Sequence, residues 1–299
     1  MITWSKCGAT IRIDGSVLGK DVQNSYESDV YVQLNKVSMA QTSWAVFNAI
    51  HGASLRRGKK VTIVPFEQEG DNAYAVAVGG KIEGGDAAPR GVKPYAGGPD
   101  DVRTYDDERE MKQWFAGTGK GSDVEIHYNP HPPAGPLSSC PDDGRKWKDG
   151  CPLYEGADHA KDDQLFHELV HTVRQMRGEF NCVPTSDKDW MNEEEFLAVL
   201  VTNIYLSERG KTNLRGNYLG FGLLTAPLNT SEGFLGKGTI PVSPQHLEHR
   251  RLVNKLVTDD WGMCDYISHK VNAGFNPIRE YLRNSGRYPH DPREANRRK

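Results

Sequence analysis

Residues 166–171 read Phe166-His167-Glu168-Leu169-Val170-His171. Two imidazoles four residues apart can act on one point only if the stretch is helical, because positions i and i+4 stack on one helix face. That requirement constrains the fold more than any other feature of the chain. It demands a helix with one apolar and one polar flank. Leu165, Phe166, Leu169, Val170 and Val173 supply the first; His167, His171, Arg174 and Gln175 supply the second. The helix is expected from about Asp162 to Arg177, with Asp162 and Asp163 at its positive N-terminal end and Gly178 at its C-terminal cap. Glu168 falls in a neighbouring sector, where it can hold and deprotonate a water at a metal ion carried by His167 and His171.

Chance alone puts such a motif in about 2% of chains of this composition, so its context decides. Two other histidine pairs serve as controls. His127 and His131 share the spacing, but Pro130 and the strand before it exclude a helix. His246 and His249 can share a helix face, but nothing near them resembles a third ligand, and they read as surface or core histidines. For the first pair a third ligand is expected from a second helix, about Met191 to Glu208, with Asp189 as a possible cap and Gly210 as the stop. Its stretch Phe196–Val201 is apolar nearly all round, which implies burial. The run Glu193-Glu194-Glu195 opens it, and Glu195 stands 24 residues after His171. Three carboxylates at the head of a buried helix are costly without a cation or donors. Glu193 is read as the exposed one of the three, favouring the helix N-terminus. Small Ala198 lets the two helices approach.

The rest of the chain bounds the class. Its 299 residues carry 37 basic and 40 acidic side chains, a net charge of −3, which argues against a nucleic-acid protein led by electrostatics. No run of 18 apolar residues exists, so no transmembrane helix is expected. The N-terminus lacks a basic region followed by an apolar stretch, so no signal peptide is read and the chain is expected to be cytoplasmic when made. Five cysteines without CxxC spacing argue against a disulfide framework or a cysteine zinc cluster. Cys140 and Cys151 flank one loop and can pair under oxidation. Strands are expected within residues 1–35 (Ala9–Ile13 and Val30–Leu34) and at 60–65, 73–78 and 124–128. A helix is expected at Ser38–His51, ended by Gly52, and a polar one at Asp106–Phe115. Residues 84–100 and 129–156 read as loops, the second long enough to suggest function. Asp158 and His159 read as loop or as partners of a ligand histidine, and Arg293–Lys299 as a short basic tail.

The set His167-Glu168-x-x-His171, then Glu194-Glu195-x-x-Ala198-Val199, resembles zinc metallopeptidases with a Glu third ligand. It most resembles the NleD-like effector peptidases of bacterial secretion systems and related polymorphic-toxin domains. The double Glu is also similar to that of clostridial neurotoxin light chains. The resemblance covers about residues 160–220 and is looser from residue 38. It implies that Glu195 binds zinc and that Glu194 supports the site. Leu214-Arg215-Gly216-Asn217-Tyr218 is similar to the neurotoxins' Arg and Tyr, three apart, that stabilise an oxyanion. A structural reading, with Arg215 capping carbonyls and Tyr218 packing, stands beside it.

These readings combine into an α+β, zincin-like fold: a small mixed sheet, the HExxH helix and a second Glu-bearing helix. Residues 1–30 form a strand-rich N-terminal extension and residues 31–299 one metallopeptidase domain. The expected function is zinc-dependent cleavage of a protein or peptide by an exported effector or toxin, with a secretion chaperone or immunity protein as a plausible partner. The alternative is a non-catalytic, zinc-stabilised binding module, which would not need Glu168.

Overall fold

Alternation of small apolar and polar residues builds the sheet. The computed structural model describes residues 1–66, 73–78, 119–130, 157–181, 183, 185–186, 190, 192–217, 222–238 and 240–285. Strands β1 (Ile2–Lys6) and β2 (Ala9–Ile13) form a hairpin. Cys7 and Gly8 turn it with φ of 51° and 79°, the left-handed values that a two-residue connection requires. In β2, Ala9, Ile11 and Ile13 are buried while Thr10 and Arg12 face out. Helices α1 (Lys20–Val37) and α2 (Gln41–Arg57) follow, then β3 (Val61–Val64), β4 (Tyr74–Val78) and β5 (Asp123–His127). The strand order is β1-β2-β3-β5-β4; β2, β3 and β5 are parallel, and the two edge strands run antiparallel to their neighbours. The register stacks Ile11 beside Val61 beside Val124, and Ile13 beside Ile63 beside Ile126, giving two apolar rows on the covered face.

The HExxH helix, α3 (Ala157–Arg177), packs against α1, α2, β4 and β5. Its other neighbour is α4 (Glu193–Glu208), whose residues from Phe196 to Leu206 are all buried, as its apolar circumference requires. Helices α5 (Ser231–Phe234), α6 (Pro244–Asp259), α7 (Trp261–Lys270) and α8 (Pro277–Asn284) complete the described chain, α6 and α7 resting on α4 and α2 respectively. The result is α+β with a small mixed sheet. No described helix is long and apolar enough to cross a membrane.

Several local expectations are corrected. Residues 30–34 are helical, not extended. Tyr26, Val30, Leu34 and Val37 are buried at helical spacing, whereas Val32, which a strand would bury with Val30, is 47% exposed. The strand-rich reading of residues 1–30 therefore holds for the hairpin alone. Helix α2 runs through Gly52 and stops at Gly58, which takes the left-handed φ of 65°. Helix α3 begins five residues before Asp162, so Asp158 and His159 lie in its first turn rather than in a loop. Gly178, at φ 67°, ends it as expected. Residues 84–100, the helix at 106–115, Cys140, Cys151, His131, Asp189, Tyr218, the basic tail and nearly all of the loop at 129–156 lie outside the described residues.

Candidate metal centre

The head of α4 is fixed before any metal is considered. A helix leaves its first backbone N–H groups without partners. Here Glu193 N–H donates to Val183 O at 2.9 Å and Glu194 N–H to Asn181 O at 3.0 Å, while Glu195 N–H donates to the Asn192 side chain at 2.9 Å. Asn192 is thus the cap. The helix N-terminus favours carboxylates electrostatically, and the three glutamates diverge from it to different partners.

Glu193 is not solvated. It is 4% exposed, pairs with Arg251 at 2.6 Å and accepts a hydrogen bond from Asn181 Nδ2. Asn181 and Val183 thus meet the helix head through Asn181 O, Val183 O and the Asn181 side chain. Glu194 is fully buried. Its Oε2 accepts from Arg174 Nε at 2.7 Å and from Asn181 N–H at 3.2 Å, and its Oε1 lies 3.4 Å from His171 Nδ1. Burial opposes ionisation of Glu194, but the Arg174 guanidinium and then His171 hold its pKa below the usual carboxylate range. Arg174, also fully buried, donates Nη2 to Glu179 O at 2.7 Å and lies 3.5 Å from Asp259.

Glu195 points elsewhere. Its Oε2 lies 3.2 Å from His167 Nε2 and 3.3 Å from His171 Nε2, and the two Nε2 atoms are 3.0 Å apart. Three ligand atoms converge on one point, and among the described residues this is the group that can hold a metal ion. A tetrahedral ion with bonds of about 2.0–2.1 Å sets its ligand atoms about 3.3–3.4 Å apart. The triangle is within a few tenths of an ångström of that size, so the donor set fits such an ion. Glu194 supplies the acceptor that steers His171 to present Nε2. Glu195 is the most open of the three, at 16% side-chain exposure against 8% and 6% for the histidines, so the centre opens to solvent on its side.

The electrostatics ask for positive charge at this point. Burial disfavours the His171 imidazolium, yet Glu195 and Glu194 outweigh it and raise the His171 pKa well above the ordinary value. Burial, with His171 beside it, drives His167 down to about 4 against the pull of Glu195. Burial likewise disfavours charged Glu195, but His171 and His167 pull its pKa far below the usual carboxylate range.

Glu168 is buried, and burial lifts its pKa to about 8, with Glu195 adding to the rise and His171 opposing it. The Ala75 backbone of β4 donates a hydrogen bond to Glu168. Gln175 Nε2, two turns along α3, donates to Ala75 O at 2.9 Å. The edge of β4 at Ala75 is thereby tied to α3.

Arg215 comes close enough that its charge is a lesser, lowering influence on both His167 and Glu168. Asn203 of α4 clamps its backbone: Arg215 N–H donates to Asn203 Oδ1 at 2.9 Å and Asn203 Nδ2 to Arg215 O at 2.8 Å. His246 and His249 are core histidines of α6. His246 takes part in a capping box with Ser243, and the His249 ring stacks on Phe234 at 4.0 Å. Sequence reasoning placed Arg174 on the polar flank but gave it no role. The usable signal was its position three residues after His171, on the side where a paired glutamate had to be compensated.

Comparison with protein-family models, with curated proteins and with solved structures found no match.

Proposed function

We propose that this chain is a zinc-dependent endopeptidase of zincin-like arrangement, acting as an effector or toxin on a protein of another cell. The convergence of His167 Nε2, His171 Nε2 and Glu195 Oε2, with Glu168 on the same helix, carries the reading. Two imidazoles, one carboxylate and an open side are the donor set of a catalytic rather than a structural zinc site.

When bound, zinc supplies a Lewis acid for the scissile carbonyl and acidifies a water. His167, His171 and Glu195 hold it, and Glu194 with Arg174 orients His171. Glu168 serves as general base and then returns the proton to the leaving amine. Its pKa of about 8 in the metal-free chain falls when positive charge enters the adjoining cluster, which brings it into the working range near neutrality. To act, Glu168 exchanges the Ala75 N–H for a water proton. Arg215, clamped by Asn203, contributes a cation for charge developing on the carbonyl oxygen. Tyr218, three residues on, is proposed as a second donor.

The effector or toxin assignment rests on the resemblance of the His167–His171 and Glu194–Glu195 motifs, and a chaperone or immunity protein restraining the enzyme belongs to the same proposal. The test is elemental analysis followed by digestion of a proteome with wild-type chain and with Glu168→Gln. One zinc per chain and cleavage products specific to the wild type are expected. Identical digests from both would replace catalysis by a zinc-stabilised binding module.

A further inference from the structure

A chain of alternating charges leads from the metal centre out to solvent. His171 Nδ1 faces Glu194 Oε1 at 3.4 Å, Glu194 Oε2 accepts from Arg174 Nε at 2.7 Å, and Arg174 Nη2 lies 3.5 Å from Asp259 Oδ2. Lys255 Nζ ends it, 3.1 Å from the same Asp259 oxygen. The inner members, Arg174 and Glu194, have no exposed side-chain surface. Asp259, the last residue of α6, is 25% exposed and lines an open cavity of about 490 Å³ between α2, the end of α3 and the α6–α7 junction. The other charges of that wall are turned elsewhere. Arg177 meets Asp260 at 2.7 Å and Glu179 at 4.0 Å, Arg57 donates to the backbone of Gly119 and Arg177, and Arg56 lies over Gly52.

Arg174 thus faces carboxylates on two different nitrogens. Burial opposes its charge, but Glu194 and then Asp259 outweigh burial and raise its pKa above the ordinary value. The guanidinium is planar and its donors diverge in a fixed fork, so a partner at one nitrogen sets where the others point. Asp259 at Nη2, with Glu179 O at 2.7 Å on the same nitrogen, holds Nε against Glu194. Asp259 also takes up part of the guanidinium's field, which counts in a buried place of low dielectric. With Asp259 charged, Glu194 keeps more of its own charge for His171. With Asp259 neutralised, Arg174 draws on Glu194 alone, and His171 loses part of its acceptor. An imidazole with a weaker acceptor at Nδ1 is a poorer metal ligand at Nε2.

We propose that Asp259 is a positioning residue for the metal centre, acting through Arg174 and Glu194 on His171. The wall of a solvent-open cavity thereby sets the affinity of the buried site for its metal. This rests on the metal centre proposed above, not on peptidase activity.

The test is the zinc affinity of the full chain, measured by competition with a chromophoric chelator and with no substrate present. Asp259→Asn should weaken zinc binding about three- to tenfold, the range of a coupling carried through intervening side chains. Asp259→Glu keeps the charge and should bind within about twofold of the wild type. Asp260→Asn neutralises the neighbouring carboxylate and weakens its pair with Arg177, so it reports what charge loss or a slackened junction does alone. It should leave zinc affinity within about twofold of the wild type. In a Glu194→Gln background Asp259→Asn should be silent, because the link to His171 is already cut. The double variant Arg174→Met with Glu194→Gln serves as that background if Glu194→Gln does not fold. Unchanged affinity in Asp259→Asn, an equal loss in Asp260→Asn, or the same loss with Glu194 already replaced would overturn the proposal. The expected pattern in a chain that cleaves no protein would support the coupling and sink the peptidase reading, whereas a wild-type chain that takes up no zinc would overturn both.

Discussion

Arg174 Nε lies 2.7 Å from Glu194 Oε2, and neither side chain is exposed to solvent. The other oxygen of Glu194 faces His171 Nδ1 at 3.4 Å. One carboxylate therefore links a buried guanidinium to an imidazole of the group that can hold a metal ion. Removing the guanidinium leaves Glu194 as a buried charge held only by the Asn181 N–H at 3.2 Å and His171 Nδ1 at 3.4 Å. Arg174→Met should cost about 3–5 kcal/mol of stability, the usual result of breaking a buried pair from one side. Adding Glu194→Gln to that variant should recover a large part of the loss, because it removes the stranded charge. Denaturant titration of both variants measures this. A double variant no more stable than Arg174→Met would mean that the pair does not act as a unit.

The two adjacent glutamates should differ in kind. Glu195 contributes an oxygen to the ligand triangle, whereas Glu194 orients His171. Glu195→Ala should abolish tight zinc binding. Glu194→Gln keeps a hydrogen-bond acceptor and should weaken zinc binding about 10–100-fold, the common penalty for losing a ligand's supporting partner. Competition with a chromophoric chelator ranks them, and the reverse order would give the ligand role to Glu194.

The His167–His171–Glu195 cluster could be read from sequence because helical spacing brings the two imidazoles together and because Glu193–Glu195 open a buried helix, while the choice of Glu195 over Glu194 came from the resemblance. What could not be read depended on residues distant in sequence. Glu193 looked like a solvated acid at a helix head, but Asn181 and Arg251 of α6 both reach its carboxylate. Arg174 looked like one polar residue on a polar flank, since nothing local says that Asp259 will lie beside it. Val30–Leu34 reads as a strand by composition. Its helical form is set by Tyr26 and Val37, whose burial with Val30 and Leu34 overrides the β-branched preference. Gly52 reads as a helix stop, yet it lies inside α2 beneath the Arg56 side chain.

Asp163 gives a prediction about pH. Its carboxyl is raised to about 8, first by burial and next by the neighbouring Asp162, against the pull of Arg209, Lys211 and Arg215. The folded chain therefore holds this proton more tightly than the unfolded chain does. The stabilisation is fully present below the unfolded value, near 3.8, and is lost as pH rises through about 8. Asp163→Asn cannot ionise, so its melting temperature should gain on the wild type from pH 5 to pH 9. Parallel melting curves across that range would show that Asp163 ionises freely in the fold.

Glu168→Gln separates catalysis from stability. The substitution keeps size and a polar head but removes the base. Glu168 is not among the three converging ligand atoms, so zinc should stay near one equivalent. The amide carbonyl can still accept the Ala75 N–H that the carboxylate accepts in the wild type. The melting temperature should therefore fall little. It should gain on the wild type in metal-free protein as pH rises from about 4.5 to about 8, because the folded wild type holds on to a proton that the unfolded chain releases, and the gain should level off above pH 8. Turnover should drop about 10²–10⁴-fold, the usual worth of a positioned acid–base group. His167→Ala should behave differently, losing metal and activity together and leaving Glu195 beside a hole with one imidazole fewer to face. Zinc content, melting temperature and single-turnover cleavage on the same preparations keep the two variants apart. Wild-type turnover in zinc-loaded Glu168→Gln would remove Glu168 from the mechanism, and a coincident loss of zinc in that variant would assign it to the ligand set instead.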